Sequence, residues 1–180
     1  MSKSGKNERM HQILEHVCHI PRKMISVHEH HLDNIPEFVL YELSHKNGFN
    51  LHKAAYFVDN PDFNCMKGVA GFCNSEHGGY DQEDVWQNPK GFSEFMKQSP
   101  FNNQVRSVTH ESARCKGHSE QELVEDIAHK LDLKHPLAFS WNLKHGNHGL
   151  LVVEKVDEQD QWDEHCLHDC AHILGFCPVS

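Results

Sequence analysis

The residues with the most evident chemistry in this chain stand in its last stretch, W-D-E-H-C-L-H-D-C-A-H-I-L-G-F-C, Trp162 to Cys177. His165, His168, Asp169 and His172 recur there at i, i+3, i+4 and i+7, the spacing of stacked neighbours on a helix. On a helical wheel they fall within roughly 100° of one another, opposite an apolar arc of Leu167, Ala171, Ile173 and Leu174. Imidazoles that converge in this way are ligands for zinc or ferrous iron. The helix that must carry them is expected from an N-cap at Asp160, through an acidic first turn, to a C-terminal cap at Gly175. Cys166 and Cys170 fall on the apolar arc and read as small buried hydrophobes rather than thiolate ligands.

A second pair of ligand type lies in V-H-E-H-H-L-D, Val27 to Asp33. Met24–His30 reads as a short strand, because Ile25 and Val27 favour extended backbone. His28 and His30 then face one way and His31 the other. This H-x-H resembles the opening motif of several metallohydrolase families, with Leu32-Asp33 standing where the metallo-β-lactamase pattern continues with aspartate and histidine. The expected metal site combines His165, His168 and His172 with one or both of His28 and His30, around Zn or Fe(II). An open coordination position would make it a metal-assisted hydrolase or oxygenase acting on a small-molecule substrate, with Asp169 or Glu29 as base or orienting group. A closed shell would make the metal structural or stored, and the protein a binding protein.

A third constellation belongs to thiol chemistry. Cys65 follows an expected strand, Lys53–Val58, and the turn Asp59-Asn60-Pro61-Asp62. It is expected to open a short helix in the Gly-rich stretch up to Gly79, where the positive helix end would favour a thiolate. His148 heads a later strand in H-G-L-L-V-V-E-K. A cysteine opening a helix and a histidine starting a later strand resembles papain-like and NlpC/P60-like hydrolases over these two short segments. The resemblance implies Cys65 as nucleophile and His148 as base, with Glu154 or Asp157 as orienting partner.

Histidine abundance raises a non-enzymatic alternative. Eighteen histidines in 180 residues, spread from His11 to His172, are several times the usual share. They predict a pH-responsive or partner-binding module that takes up protons near pH 6. The formal net charge of −9, with no basic run longer than Arg22-Lys23, argues against nucleic acid as a partner. No run approaches the roughly 18 apolar residues of a membrane span. The polar start M-S-K-S-G-K-N-E-R-M-H has no apolar signal region, and the seven cysteines form no C-x-x-C pair. Reduced thiols and a cytoplasmic location are the expectation.

The elements that must position these groups read as one domain over 1–180, with 1–8 as a flexible tail. Helices are expected over Asn7–His19, Ile35–Lys46, in the region Asp81–Gln98 broken at Pro89, and from Ser119, where Ser119 and Glu122 form a capping box. In the second of these the inward stripe is Ile35, Phe38, Val39 and Glu42 or Leu43. Gln104–Thr109 alternates and reads as a strand. Leu137–Leu143 and Leu150–Val156 read as a hairpin joined by K-H-G-N-H-G, whose residues suit positive φ. The sum is an α+β fold, a mostly antiparallel sheet of four to five strands packed by four to five helices.

Overall fold

Three helices open the chain, α1 (Lys3–Val17), α2 (Ile20–His28) and α3 (Ile35–Ser44). Two long strands follow, β1 (Leu51–Asn60) and β2 (Cys65–Cys73), and then α4 (Pro89–Gln98) and α5 (Pro100–Ser107). The short strand β3 (Thr109–His110) leads to α6 (Glu120–Lys130), the hairpin β4 (Leu137–Asn142) and β5 (His148–Lys155), and finally α7 (Glu164–Ala171). The computed structural model describes residues 3–28, 34–79, 84–112, 119–156 and 163–177. No helix among the described residues is long and apolar enough to cross a membrane.

The strands form one antiparallel sheet in the order β3-β2-β1-β5-β4, so the α+β architecture expected from sequence is the one observed. Both faces of its centre are buried, as helical layers on both sides require. Ala54 and Tyr56 of β1, with Leu151 and Val153 of β5, join a core that includes Ile13, Phe38, Phe92 and Leu167. The intervening Ala55, Phe57, Leu150 and Val152 face the opposite way, against Phe101 and Val105 of α5 and Leu123 and Ile127 of α6. Period-two alternation therefore feeds two cores rather than a core and a wet face. Helix α3 is buried along its whole length from Ile35 to Ser44, and it carries two glutamates into the first core.

Local signals account for much of this. Ser119 and Glu122 make the reciprocal capping box at the start of α6. The β4–β5 connection turns through His145 and Gly146, both at positive φ.

Four expectations need correction. Residues 24–28 belong to α2 rather than to a strand. Ile20 and Met24, one turn apart, pack inward, whereas Ile25 is 74% exposed, and Pro21 occupies a first turn instead of closing a helix. Helix α1 reaches back to Lys3, into the expected tail. The expected strand Gln104–Thr109 is mostly α5, started by Ser99, whose hydroxyl accepts from Asn102 N at 3.0 Å, and by Pro100 in the first turn. The Gly-rich stretch that begins at Cys65 is first the strand β2, and turns helical, as a 3₁₀ segment, only from Asn74 to Gly79. Its glycines answer to α5, which lies directly on it: a Cβ at Gly68 would sit 1.9 Å from the Val105 carbonyl oxygen, and one at Gly71 would sit 2.6 Å from Val105 Cγ2. A tertiary contact, invisible in local sequence, chose those residues.

Candidate functional site

Helix α7 starts three residues later than expected. Asp163, not Asp160, is its N-cap, with the carboxylate accepting from His165 N at 2.9 Å. The helix ends at Ala171, and His172 begins a tighter 3₁₀ segment to Phe176. His165 and Asp169 are exposed. His168 is half-buried, its ring 6.1 Å from that of Phe139 and its Nε2 3.2 Å from the Ser140 carbonyl oxygen. His172 stacks on Trp141 at 5.6 Å and meets His168 edge-on at 5.0 Å. The structure thus brings together His168 and His172, but not His165 or Asp169 with them. Helix α2 ends at His28, whose side chain lies outside the described residues, as does His30 altogether. Among the described residues no three His, Cys, Asp or Glu side chains gather as a metal ion would require. Burial pushes the Cys170 thiol up to about 12, in keeping with a small core hydrophobe.

The expected Cys65–His148 pair is divided by the sheet. Cys65 opens β2 opposite Asn60, while His148 opens β5 opposite Asp59. Asn60 and Asp59 are consecutive on β1, so their cross-strand partners project to opposite faces. A base on one face cannot take a proton from a nucleophile on the other. Cys65 also begins a strand, so no helix end acts on its thiol. Glu154, expected to orient His148, instead accepts from Lys134 N at 2.8 Å and contacts His52 Nδ1 at 2.8 Å. Burial acts to raise its carboxyl, but these two partners hold it below the usual range. Asp157 lies outside the described residues.

Cys65 does open onto a cleft of about 850 Å³, built where four segments meet. Tyr56, Val58 and Asn60 supply its floor from alternate positions of β1. Lys67 pairs with Val58 across the β1–β2 ladder and so projects from the same face. The turn carrying Lys144 and His145 forms one wall, and Gly175 and Cys177 of the C-terminal segment form another. Phe63, 81% exposed, stands at the rim. Arg106 reaches in from α5, its Nε donating to Val69 O at 2.9 Å.

Behind Arg106 lies Glu37 of α3, only 1% exposed. One carboxylate oxygen, Oε1, sits 3.6 Å from Arg106 Nη2 and accepts from Asn102 Nδ2 at 3.4 Å. The other, Oε2, has no hydrogen-bond partner among the described residues. Asn102 is fixed in turn, donating to Met96 O at 2.9 Å and accepting from Gly71 N at 2.8 Å. Burial drives the Glu37 carboxyl up to about 7, with Arg106, its own backbone N–H and Asn102 offsetting part of the rise. Two neighbours stay protonated at that pH. Burial pushes Cys177 up to about 12, with the Glu37 charge adding to it, and burial raises the hydroxyl of Tyr56. The Tyr56 ring stacks on Trp141 at 5.8 Å, and its hydroxyl is buried without a partner among the described residues. Of the three groups, Glu37 alone changes charge near neutrality.

The second glutamate of α3 has the opposite environment. Glu42 contacts His16 Nε2 at 2.7 Å and Lys23 Nζ at 2.9 Å, and it accepts from Trp86 Nε1. Burial acts to raise its carboxyl, but these partners bring it down to about 2. It ties α1, α2 and the residues before α4 to the central helix. One helix therefore presents a carboxylate clamped as a charge and a carboxyl left free to titrate.

Sequence reasoning left Glu42 or Leu43 on the inward stripe and passed over Glu37 and Arg106. The signal for Glu37 was a carboxylate in the otherwise apolar run I-P-E-F-V-L-Y. Arg106 was hidden inside the segment read as a strand. The chain matches no protein-family model and no curated protein.

Proposed function

We propose that this protein binds a small molecule in the cleft and that its affinity is linked to a proton on Glu37. The observation that carries this reading is the Glu37 carboxyl, buried with one oxygen unbonded, titrating about 7, and joined to the cleft through Arg106. Functional sites are where burial and charged neighbours shift an acid toward working pH, and a cleft beside such an acid is where a ligand would be felt. This is a version of the pH-responsive module expected from sequence, with the responding group a glutamate rather than a histidine. The volume agrees with ligand sites of roughly 300–1,000 Å³.

Difference infrared spectroscopy tests it in the ligand-free protein. The band of a protonated carboxyl should disappear as pH rises through about 7 and be absent from Glu37→Gln. Identical difference spectra for the two proteins would sink the reading.

A second reading keeps Zn or Fe(II) at the C-terminal helix. It rests on the imidazoles of His168 and His172, whose centroids lie 5.0 Å apart. Elemental analysis of untagged protein should then find near-stoichiometric metal that is lost in a His168→Ala, His172→Ala double variant. Metal far below stoichiometry, or metal kept by the double variant, counts against it.

A further inference from the structure

We propose that the ligand of this cleft is an amphiphilic organic anion, its charged group held by Lys67, Arg106 and Lys144 and its apolar body lying along Val58, Leu143 and Phe63. The proposal rests on the reading of the cleft as a ligand site and names what that site takes. Among the described residues, three fully charged side chains line the cleft, all of them cations, and no carboxylate side chain does. They sit in a chain of formal net charge −9, so the positive lining runs against the charge of the molecule as a whole. Lys67 and Lys144 form no ion pair with any described residue, so neither charge is engaged by a described carboxylate, as those of Lys23, Lys97, Lys130 and Lys155 are; Lys46, Lys53, Lys90 and Lys134 likewise form no ion pair with a described residue but line no part of the cleft. Unpaired cations converging on one concavity repel one another, and an anion relieves that repulsion.

The rest of the lining limits the anion's character. Val58 and Leu143 are apolar, and the cleft continues to the exposed ring of Phe63. Phe176, also exposed, lies between the lining residues Gly175 and Cys177. An inorganic ion would use the cations and leave this surface wet. A carboxylate, sulfonate or phosphate carrying an aromatic or aliphatic body uses both.

Arg106 supplies the link to the proton. While Glu37 is ionised, part of the Arg106 charge is engaged by it at 3.6 Å. When Glu37 takes up a proton, that attraction ends and the guanidinium is released to the ligand. By reciprocity, a bound anion favours the protonated carboxyl. Binding near neutral pH is therefore accompanied by uptake of a fraction of a proton.

Two probes sharing one ring system test the ligand class. Anilinonaphthalene sulfonate carries the anion, and N-phenylnaphthylamine lacks it. Fluorescence titration of the full chain should show one saturable site for the sulfonate. The neutral compound should bind about tenfold or more weakly, and a Lys67→Gln, Lys144→Gln double variant should lose about tenfold in sulfonate affinity. The corresponding Lys-to-Arg double variant should retain it, which separates loss of charge from loss of fold. Equal affinity for the two compounds, indifference to the Lys-to-Gln changes, or no saturable site would each overturn the proposal. Calorimetry of the sulfonate in two buffers of different ionisation enthalpy reads the proton. Uptake should be present in the natural chain and absent from Glu37→Gln. Charge-selective binding without proton uptake would uphold the ligand class and overturn the link to Glu37, whereas a titrating Glu37 without charge-selective binding would do the reverse.

Discussion

The guanidinium of Arg106 lies 3.6 Å from Oε1 of Glu37 and still leaves that carboxyl titrating at about 7. An arginine this close would ordinarily hold a carboxylate ionised well into the acid range. The loss of hydration outweighs it here, because the carboxyl is 1% exposed and only one of its oxygens is bonded. The Arg106 side chain is half-open to water at the cleft, which weakens its pull further. On the same helix, Glu42 is equally enclosed but has contacts from His16, Lys23 and Trp86, and it falls to about 2. The two glutamates differ chiefly in their basic neighbours, two within 2.9 Å at Glu42 against one at 3.6 Å at Glu37.

The pH dependence of stability follows from Glu37 with a definite sign. Its carboxyl rises from an ordinary 4.5 to about 7 on folding, so between those values the folded chain binds a proton that the unfolded chain lacks. Stability is therefore lost as pH rises through that window, by about 3 kcal/mol in total. Glu37→Gln keeps the shape and the hydrogen bond but removes the titration. Urea midpoints measured from pH 5 to 8 should fall for the natural chain relative to the variant, which should be the more stable protein above about 7. Parallel curves would show that Glu37 does not titrate in this range.

Glu42 predicts the reverse. Its carboxyl is depressed to about 2, so its contribution is present at neutral pH and is lost as pH falls from about 4.5 through about 2. Glu42→Gln removes the charge that His16 and Lys23 face and leaves the partly buried Lys23 ammonium uncompensated. A cost of about 3 kcal/mol is expected at pH 7, shrinking in acid. A cost independent of pH would mean that packing, not charge, is what Glu42 provides.

Where the chain signals its structure locally, the sequence was readable. The capping box at Ser119 and the hairpin around Gly146 need no knowledge of distant residues, whereas α3, read as having one inward stripe, is buried on every side. The misreadings share a cause. Gly68 and Gly71 read as part of a short helix and loop opened by Cys65, but they are small because α5 presses on β2. Gln-Val-Arg-Ser-Val alternates like a strand, yet Ser99-Pro100 starts a helix that carries through it. The cleft was the least legible feature. Lys67, Arg106, Lys144 and Cys177 stand far apart along the chain, and only the sheet order and the return of the C-terminal segment bring them together. The histidine pattern at His165, His168 and His172 was visible, but the stacking of His168 on Phe139 and of His172 on Trp141 depends on where β4 lies.

The contact of α5 with β2 positions Arg106 and is open to a direct test. A methyl group added at Gly68 would lie 1.9 Å from the Val105 carbonyl oxygen, a backbone atom that moves only if the helix does. Gly68→Ala should cost about 3 kcal/mol or more, at the upper end for overpacking. It should also move Arg106 away from Glu37, so proton-linked binding in the cleft should weaken even in the fraction that remains folded. Chemical denaturation gives the first quantity and sulfonate titration at low temperature the second. A stable variant with unchanged binding would mean that α5 shifts on β2 without consequence for the site.

The rings of the C-terminal helix carry a stability role that is separable from any metal. His168 lies against Phe139 at 6.1 Å, meets His172 at 5.0 Å, and sits 3.2 Å from the Ser140 carbonyl oxygen, so it pins α7 to the edge strand β4. Truncation to alanine removes one hydrogen bond and two ring contacts, which together are worth about 1–2 kcal/mol. Because those contacts are among protein groups, the loss should be the same in protein stripped with a strong chelator as in untreated protein. His165, exposed on the outer side of the same helix, should cost under about 0.5 kcal/mol when truncated. Thermal denaturation of both variants, with and without chelator, separates the cases. If His168→Ala is destabilising only before chelation, the ring acts through a bound ion; a loss that survives chelation belongs to the packing of α7 on β4.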